Sequence, residues 1–233
     1  MKDIFGKALL DFQSGDYSED IVTATSISSE DTLPLPYLFR GFNDMPEIEQ
    51  KALELCRGRV LDVGCGAGSH SLYIQDIGLE VKAIDVSEGA IMVSKLRGVK
   101  STAKLDLLNE TETFDTILLL MNGTGIFQSL DLAPTYLKHL RSLLNLGGQI
   151  FIDSSDIIYM YKDDDGGIWQ DTNANYYGEL DYHLSYKGEK KAMKWLYLDF
   201  NKLQSIAEAS GLDCELMLEG EHHDYLARLT AAE

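Results

Sequence analysis

An apolar strand that runs into a glycine-rich turn and then a helix leaves a chain few folds to adopt. Here Arg59-Val-Leu-Asp-Val63 reads as the strand, Gly64-Cys-Gly-Ala-Gly68 as the turn, and His70 to Ile77 as a helix stopped at Gly78. Glycines let the backbone turn sharply and lie bare against a ligand, which a Cβ would prevent. The helix beginning near Ser69 also points its free N–H groups at the turn. The alternation then repeats. Glu80–Asp85 is a strand, Ile91 to Leu96 a helix capped by Ser87 and stopped at Gly98, and Val99–Leu105 a weaker strand. Phe114–Met121 is apolar almost throughout, as in a strand buried on both faces of a parallel sheet. Asp131 is the expected cap of a helix carrying Ala133, Leu137, Leu140 and Leu144 and ended by Gly147-Gly148; Gln149–Asp153 is the next strand. Upstream, Asp44 is the expected cap of a helix reaching Gly58, with Pro46 in its first turn and Ile48, Ala52 and Leu55 on one face.

Five strands in about ninety residues are too few for eight βα units, so the pattern predicts an open, doubly wound α/β sheet. A last helix capped by Asp199 and stopped at Gly211 follows, and Cys214–Leu218 and His223–Leu229 read as an antiparallel pair. Two segments stand outside the alternation, and there is no internal repeat. Residues 1–43 form a lead-in, with prolines in Leu33-Pro-Leu-Pro-Tyr-Leu-Phe-Arg40, ahead of a domain spanning 44–233. Residues 156–198 form an insert holding seven of the twelve tyrosines and both tryptophans. Within it, Leu180 to Tyr186 alternates apolar and polar, turns at Lys187–Lys190 and returns as Ala192–Leu198, a β-hairpin by pattern.

In an open α/β sheet the ligand sits beyond the carboxyl ends of the strands, where the strand order reverses. A dinucleotide fingerprint GxGxxG starting at Gly64 needs glycine or alanine at position 69, where Ser69 stands, which disfavours an NAD-dependent dehydrogenase. What is present is GxGxG preceded by Asp62. Asp85 ends the next strand, nineteen residues after Gly66, where an acid accepts hydrogen bonds from both hydroxyls of a ribose. Asp106 ends the third, placed to receive the exocyclic amine of an adenine.

Together, VLDVGCGAG, AID85, KLD106LL, FDTILLLMN122 and LLNLGGQIFID153 resemble, in order, the motifs of the class I S-adenosylmethionine-dependent methyltransferases. The resemblance implies a seven-stranded sheet with its last strand antiparallel, a Rossmann-like methyltransferase fold. It implies S-adenosyl-L-methionine as cofactor, with Asp62, Gly64, Gly66 and Gly68 near its methionine part. Asp85 would meet the ribose, Val86 a face of the adenine, and Asp106 with the Leu107 amide its edge; Asn122 and Arg40 complete the candidate contacts. A sulfonium cofactor carries a positive centre and no phosphate, which suits acids at 62, 85 and 106. A module that binds S-adenosylmethionine or S-adenosylhomocysteine without turnover would carry the same motifs.

Methyl transfer needs mainly a nucleophile held in line, so proximity supplies much of the rate and a general base is optional. Candidate catalytic groups are Asn122, His222 and His223. Asn122 is followed by Gly123-Thr124-Gly125, not the diproline and aromatic of amine-acting relatives, so amine or nucleobase specificity is not supported. The loops Asn122–Gly125, Asp153–Asp156 and Glu219–Asp224 and the aromatic insert are expected to line the acceptor site. Arg40 could clamp a carboxylate of the cofactor or acceptor, or stand as a surface arginine beside Tyr37 and Phe39. No histidine spacing indicates a metal; Asp163-Asp164-Asp165-Gly166 lacks a calcium loop's ligand pattern, and His139 is expected to be exposed.

With 38 acidic against 20 basic residues, the formal net charge is −18, which repels phosphate backbones and points to a small-molecule acceptor over nucleic acid. Cys56, Cys65 and Cys214 are an odd count without CxxC spacing and fit free thiols in a reducing cytoplasm. Neither a signal peptide nor a membrane span is expected, and the aromatic insert could equally pack a homodimer.

Overall fold

The computed structural model describes residues 2–161 and 176–232; Asp163–Gly166 and Trp169 lie outside the described residues. The lead-in is ordered into regular elements. Helix α1 (Ile4–Ser14) starts where the Asp3 carboxylate accepts from the Gly6 N–H at 2.9 Å, and stops at left-handed Gly15. Strands β1 (Ile21–Thr25) and β2 (Ser28–Leu33) pair antiparallel, and a short helix α2 (Leu35–Leu38) leads into α3 (Glu47–Glu54).

From there strands and helices alternate: β3 (Val60–Val63), α4 (Ser69–Asp76), β4 (Val81–Asp85), α5 (Glu88–Leu96), β5 (Thr102–Lys104), β6 (Phe114–Leu119), α6 (Ala133–Ser142) and β7 (Leu144–Ser155). The insert supplies β8 (Glu179–Tyr186) and β9 (Glu189–Leu196), and α7 (Phe200–Ala209), β10 (Leu212–Glu219) and β11 (Asp224–Ala231) close the chain. Seven strands form the main sheet in the order β10-β11-β7-β6-β3-β4-β5, with β11 the antiparallel member. Successive side chains of β6 serve opposite faces, as period-two geometry requires. Ile117 and Leu119 join Leu137, Leu140 and Leu203 of α6 and α7, while Leu118 packs with Ile48, Ala52 and Ile74 of α3 and α4. The order reverses at β3, which is buried along its length, so the loop after it opens at the switch point.

A second sheet runs β2-β1-β8-β9 and joins the lead-in to the insert, with Thr25 opposite Tyr182 and Thr23 opposite Leu184. The predicted hairpin is present, turning on Lys187 and Gly188 at φ 46° and 73°, the two-residue geometry that matches strand twist.

Three local expectations are corrected. Asp44 lies in a 3-10 turn, Phe42–Asp44, and extended Pro46 precedes α3 in its place. Asp131 does not cap α6: Leu132 stands at that position with near-helical angles and makes no side-chain cap. The strand after α6 starts at Leu144, not Gln149, because β7 bulges against β6 between the Leu144 and Gln149 pairings and Gly147 turns there at φ 75°. Among the described residues no helix is long and apolar enough to cross a membrane.

Candidate active site

Each side chain at the switch point is placed by a strand end. Gly64 and Cys65 donate to the Ile84 carbonyl at 2.9 and 3.1 Å, so the glycine turn is laced to β4. Gly66, at φ 52°, donates its N–H to Asp85 Oδ2 at 3.0 Å, and Ser87 N–H donates to Oδ1 at 2.8 Å. Gly68, at φ 82°, precedes α4 where a Cβ would stand 2.8 Å from Val99, so position and packing both demand glycine. The turn's carbonyls are also held, Gly66 by the Ser94 hydroxyl at 2.9 Å and Ala67 by Arg97 at 2.7 Å. The loop is thus rigid before any ligand arrives.

A cleft of about 240 Å³ opens beside this turn. Gly64, Asp85, Val86, Asp106 and Leu107 line it, as their positions in the sequence suggest. Val86 is 65% exposed, an apolar side chain left bare on the cleft wall. Asp106 is exposed at the lip, where Oδ1 accepts from Leu108 N–H at 2.9 Å. Burial pushes the Asp85 carboxyl up to about 6, and Asp3 and Asp62 add to the rise against the two amides.

Other sequence candidates sit elsewhere. Asp62 is enclosed beneath the turn, accepting from the Ser71 hydroxyl at 2.6 Å, and burial raises its pKa. Arg40 is buried, not on the surface, and its carboxylate partner is Glu49 of α3. Glu49 also meets His70 Nε2 of α4 at 2.7 Å. Burial alone would raise Glu49, but His70 and Arg40 outweigh it and hold its pKa below the ordinary value. Burial would lower His70, yet Glu49 and Asp62 lift it above its usual value. Asn122 stands at φ 60° with Oδ1 accepting from the Ser154 hydroxyl at 3.2 Å. Its loop is pinned by Asp153, which receives Met121 N–H at 3.1 Å and Gly123 N–H at 2.8 Å and is pushed by burial up to about 6. His222 and His223 are exposed on the turn before β11 and do not line the cleft; His223 stacks on Tyr159 at 4.6 Å. His139 is half-buried, against expectation, because its Nε2 bonds the Leu107 carbonyl at 2.9 Å and steadies the cleft's far wall.

The cleft also has a roof, supplied by the aromatic insert expected over the acceptor rather than here. Met193 and Trp195 of β9 line it, and the Trp195 indole lies flat enough on Gly125 that a Cβ there would stand 2.0 Å from the ring. Their i, i+2 spacing places both on one face of the hairpin, the available signal. Beyond the roof is a larger cavity of about 610 Å³, reached by Ser155, Tyr159, Tyr182, Tyr197 and His222 and by the β1–β2 hairpin. Two expected loops and the insert do meet there; the lead-in's contribution was not foreseen. Among the described residues no cluster of His, Cys, Asp or Glu is arranged to hold a metal.

A family model described as a methyltransferase domain matches residues 38–214. The chain belongs to the class I S-adenosylmethionine-dependent methyltransferase family. Over 100% of its length, at 41% identity and a TM-score of 0.93, it is similar to a SAM-dependent methyltransferase from Bacteroides fragilis, 96% of which is covered, solved with S-adenosyl-L-homocysteine. The CcbJ methyltransferase of Streptomyces caelestis shares the fold, at 16% identity and a TM-score of 0.63 over 83% of this chain and 93% of that one. A ubiquinone biosynthesis O-methyltransferase of Xanthomonas oryzae pv. oryzae is 29% identical over 114 residues, 44% of this chain and 45% of that protein. The ribosomal RNA small subunit methyltransferase C of Pseudoalteromonas translucida is 29% identical over 166 residues, 65% of this chain and 48% of that protein. The chain spans about half the length of these curated relatives.

The donor set fits the family's cofactor. Asp85 keeps acceptor capacity beyond its two amides, since each carboxylate oxygen has two lone pairs. The one basic residue on the cleft lining, Lys194, pairs with Asp181 at 2.8 Å, so no free cation waits for a pyrophosphate among the described residues.

Proposed function

We propose that this protein is an enzyme that binds S-adenosylmethionine in the 240 Å³ cleft and methylates a small-molecule acceptor. The observation that carries the reading is the Asp85 carboxylate, laced to the glycine turn at the topological switch point and open to the cleft. Asp85 receives the ribose hydroxyls, Val86 supports one face of the adenine, and Asp106 with the Leu107 amide reads its edge. Gly64 and Gly66 let the methionine part lie against bare backbone. S-adenosylmethionine supplies, when bound, an electrophilic methyl group on a sulfonium centre. The chain's part is to hold the acceptor in line with it and to keep water out, which Met193 and Trp195 do from above.

Isothermal titration with S-adenosylmethionine, S-adenosylhomocysteine and NADH tests the reading. Both adenosyl ligands should bind at micromolar levels and NADH should not. Two charge-assisted bonds are worth about 3 kcal/mol, so Asp85→Ala should weaken binding roughly a hundredfold. A folded protein that binds neither adenosyl ligand refutes the proposal. Binding without S-adenosylhomocysteine release across a panel of amines, phenols and carboxylates would instead mark a module that does not turn over.

A further inference from the structure

The 610 Å³ cavity has a chemistry distinct from the cofactor cleft. Its roof is the inner face of the small sheet. Cross-strand neighbours Thr23 with Asp31, and Thr25 with Tyr182, bring hydroxyls, a carboxylate and a phenol to one surface. Its floor comes from Ser155 at the end of β7 and Tyr159 just after it, with Tyr197 beyond β9. Three phenols therefore face one space, and Tyr159 and Tyr182 lie close enough to Tyr197 to oppose its ionisation after burial has done so first. The lining includes Glu30 and Asp31, and no Lys or Arg among the described residues.

Such walls discriminate by charge. Aromatic rings attract a cation held against their faces, and the two carboxylates add to that field, whereas the described lining offers an anion only the exposed His222 imidazole. Thr25 and Ser28 bond each other across the β1–β2 turn at 2.9 Å, which orders this polar wall, and with Ser155 opposite it suits a hydroxylated guest, not a long apolar tail. The cavity also adjoins the reaction site: Tyr182 packs against Trp195 with ring centroids 5.3 Å apart, and Trp195 walls the cofactor cleft.

We propose that this cavity, on the methyltransferase reading above, is the acceptor site and selects small hydroxylated amines bound as cations. Recognition is through the ammonium group, held by the three tyrosines and Asp31, and the accepting atom is a hydroxyl oxygen of the guest: its C–O–CH3 bond forms as the sulfonium S–CH3 bond breaks, S-adenosylhomocysteine leaves, and the hydroxyl proton passes to solvent.

Choline and 3,3-dimethylbutan-1-ol have the same shape and differ in charge, so they isolate this preference. Each is titrated by NMR into the protein saturated with S-adenosylhomocysteine. Choline should bind about tenfold more tightly than its neutral isostere. Asp31→Asn, at an exposed position, should cut choline affinity several-fold and leave S-adenosylhomocysteine affinity unchanged; Tyr197→Leu should do the same to choline. Equal affinity for the two probes, or choline binding untouched by both substitutions, overturns the proposal. If Tyr197→Leu fails to fold, Asp31→Asn decides alone. Failure of S-adenosylhomocysteine to bind would refute the methyltransferase reading instead, and the choline comparison on the ligand-free protein would still decide the cavity's preference.

Discussion

The floor and the roof of this candidate site are built on different principles. The floor is the carboxyl edge of β3, β4 and β5, where Gly64, Gly66, Asp85 and Asp106 come from one stretch of chain and are fixed by short-range bonds. The roof is the sheet β2-β1-β8-β9, in which the lead-in meets the insert across most of the sequence. A floor made of local motifs is set by one stretch of chain; a roof made of distant segments can change without disturbing it. Specificity is free to vary where the local motifs end.

The largest expected effect is beneath the floor, where the end of the lead-in meets α3 and α4. Glu49→Ala leaves Arg40 and His70 buried without their shared carboxylate, and should cost about 3 to 5 kcal/mol of stability, read by urea denaturation. A loss under 1 kcal/mol would mean that the cluster does not tie the lead-in to α3 and α4. Next is the floor's response to pH. Ribose hydroxyls need the ionised Asp85, whose carboxyl sits at about 6, so S-adenosylhomocysteine affinity should be flat above pH 7 and fall about tenfold per unit below pH 6. Asp85→Asn should flatten that profile. The sign for stability is opposite. A carboxyl raised above its unfolded value disfavours the ionised fold, so its cost is present above about pH 6 and disappears as pH falls toward 3.8.

A smaller effect separates roof from floor directly. Gly125→Ala places a methyl inside the Trp195 ring and must lift β9, costing about 1 to 3 kcal/mol and weakening S-adenosylhomocysteine binding. Unchanged affinity, measured by titration, would show that the roof takes no part in cofactor binding. Smallest of all, Gly188→Ala strains the hairpin turn by about 1 kcal/mol, lowering the melting temperature while leaving cofactor affinity alone.

The same division explains what could be read from the chain. The glycine turn, Asp85 and Asp106 were legible because local spacing decides where such residues land on a parallel sheet. Pairing of Thr25 with Tyr182 carries no local mark, so the β1–β2 hairpin and its cavity were not visible. Helix α1 was there to be read in Asp3, Ile4, Ala8, Leu9 and Gly15, a cap, an apolar face and a stop. Asp131 misled because the Ser129 carbonyl already takes the Ala133 N–H at 3.1 Å, turning the chain into α6 without an extended cap residue. Glu49 and His70 drew no reading from the sequence, since nothing local announces that their helices bury them against Arg40.

Trp195 has an optical consequence. Its indole forms a wall of the cleft, so a nucleoside entering displaces water from the ring and changes the surroundings that set its emission. The chain has one other tryptophan, Trp169. A Trp169→Phe protein would carry a single tryptophan, selectively excited apart from the twelve tyrosines and seated on the wall of the proposed cofactor cleft, and would report its own occupancy in real time without a label.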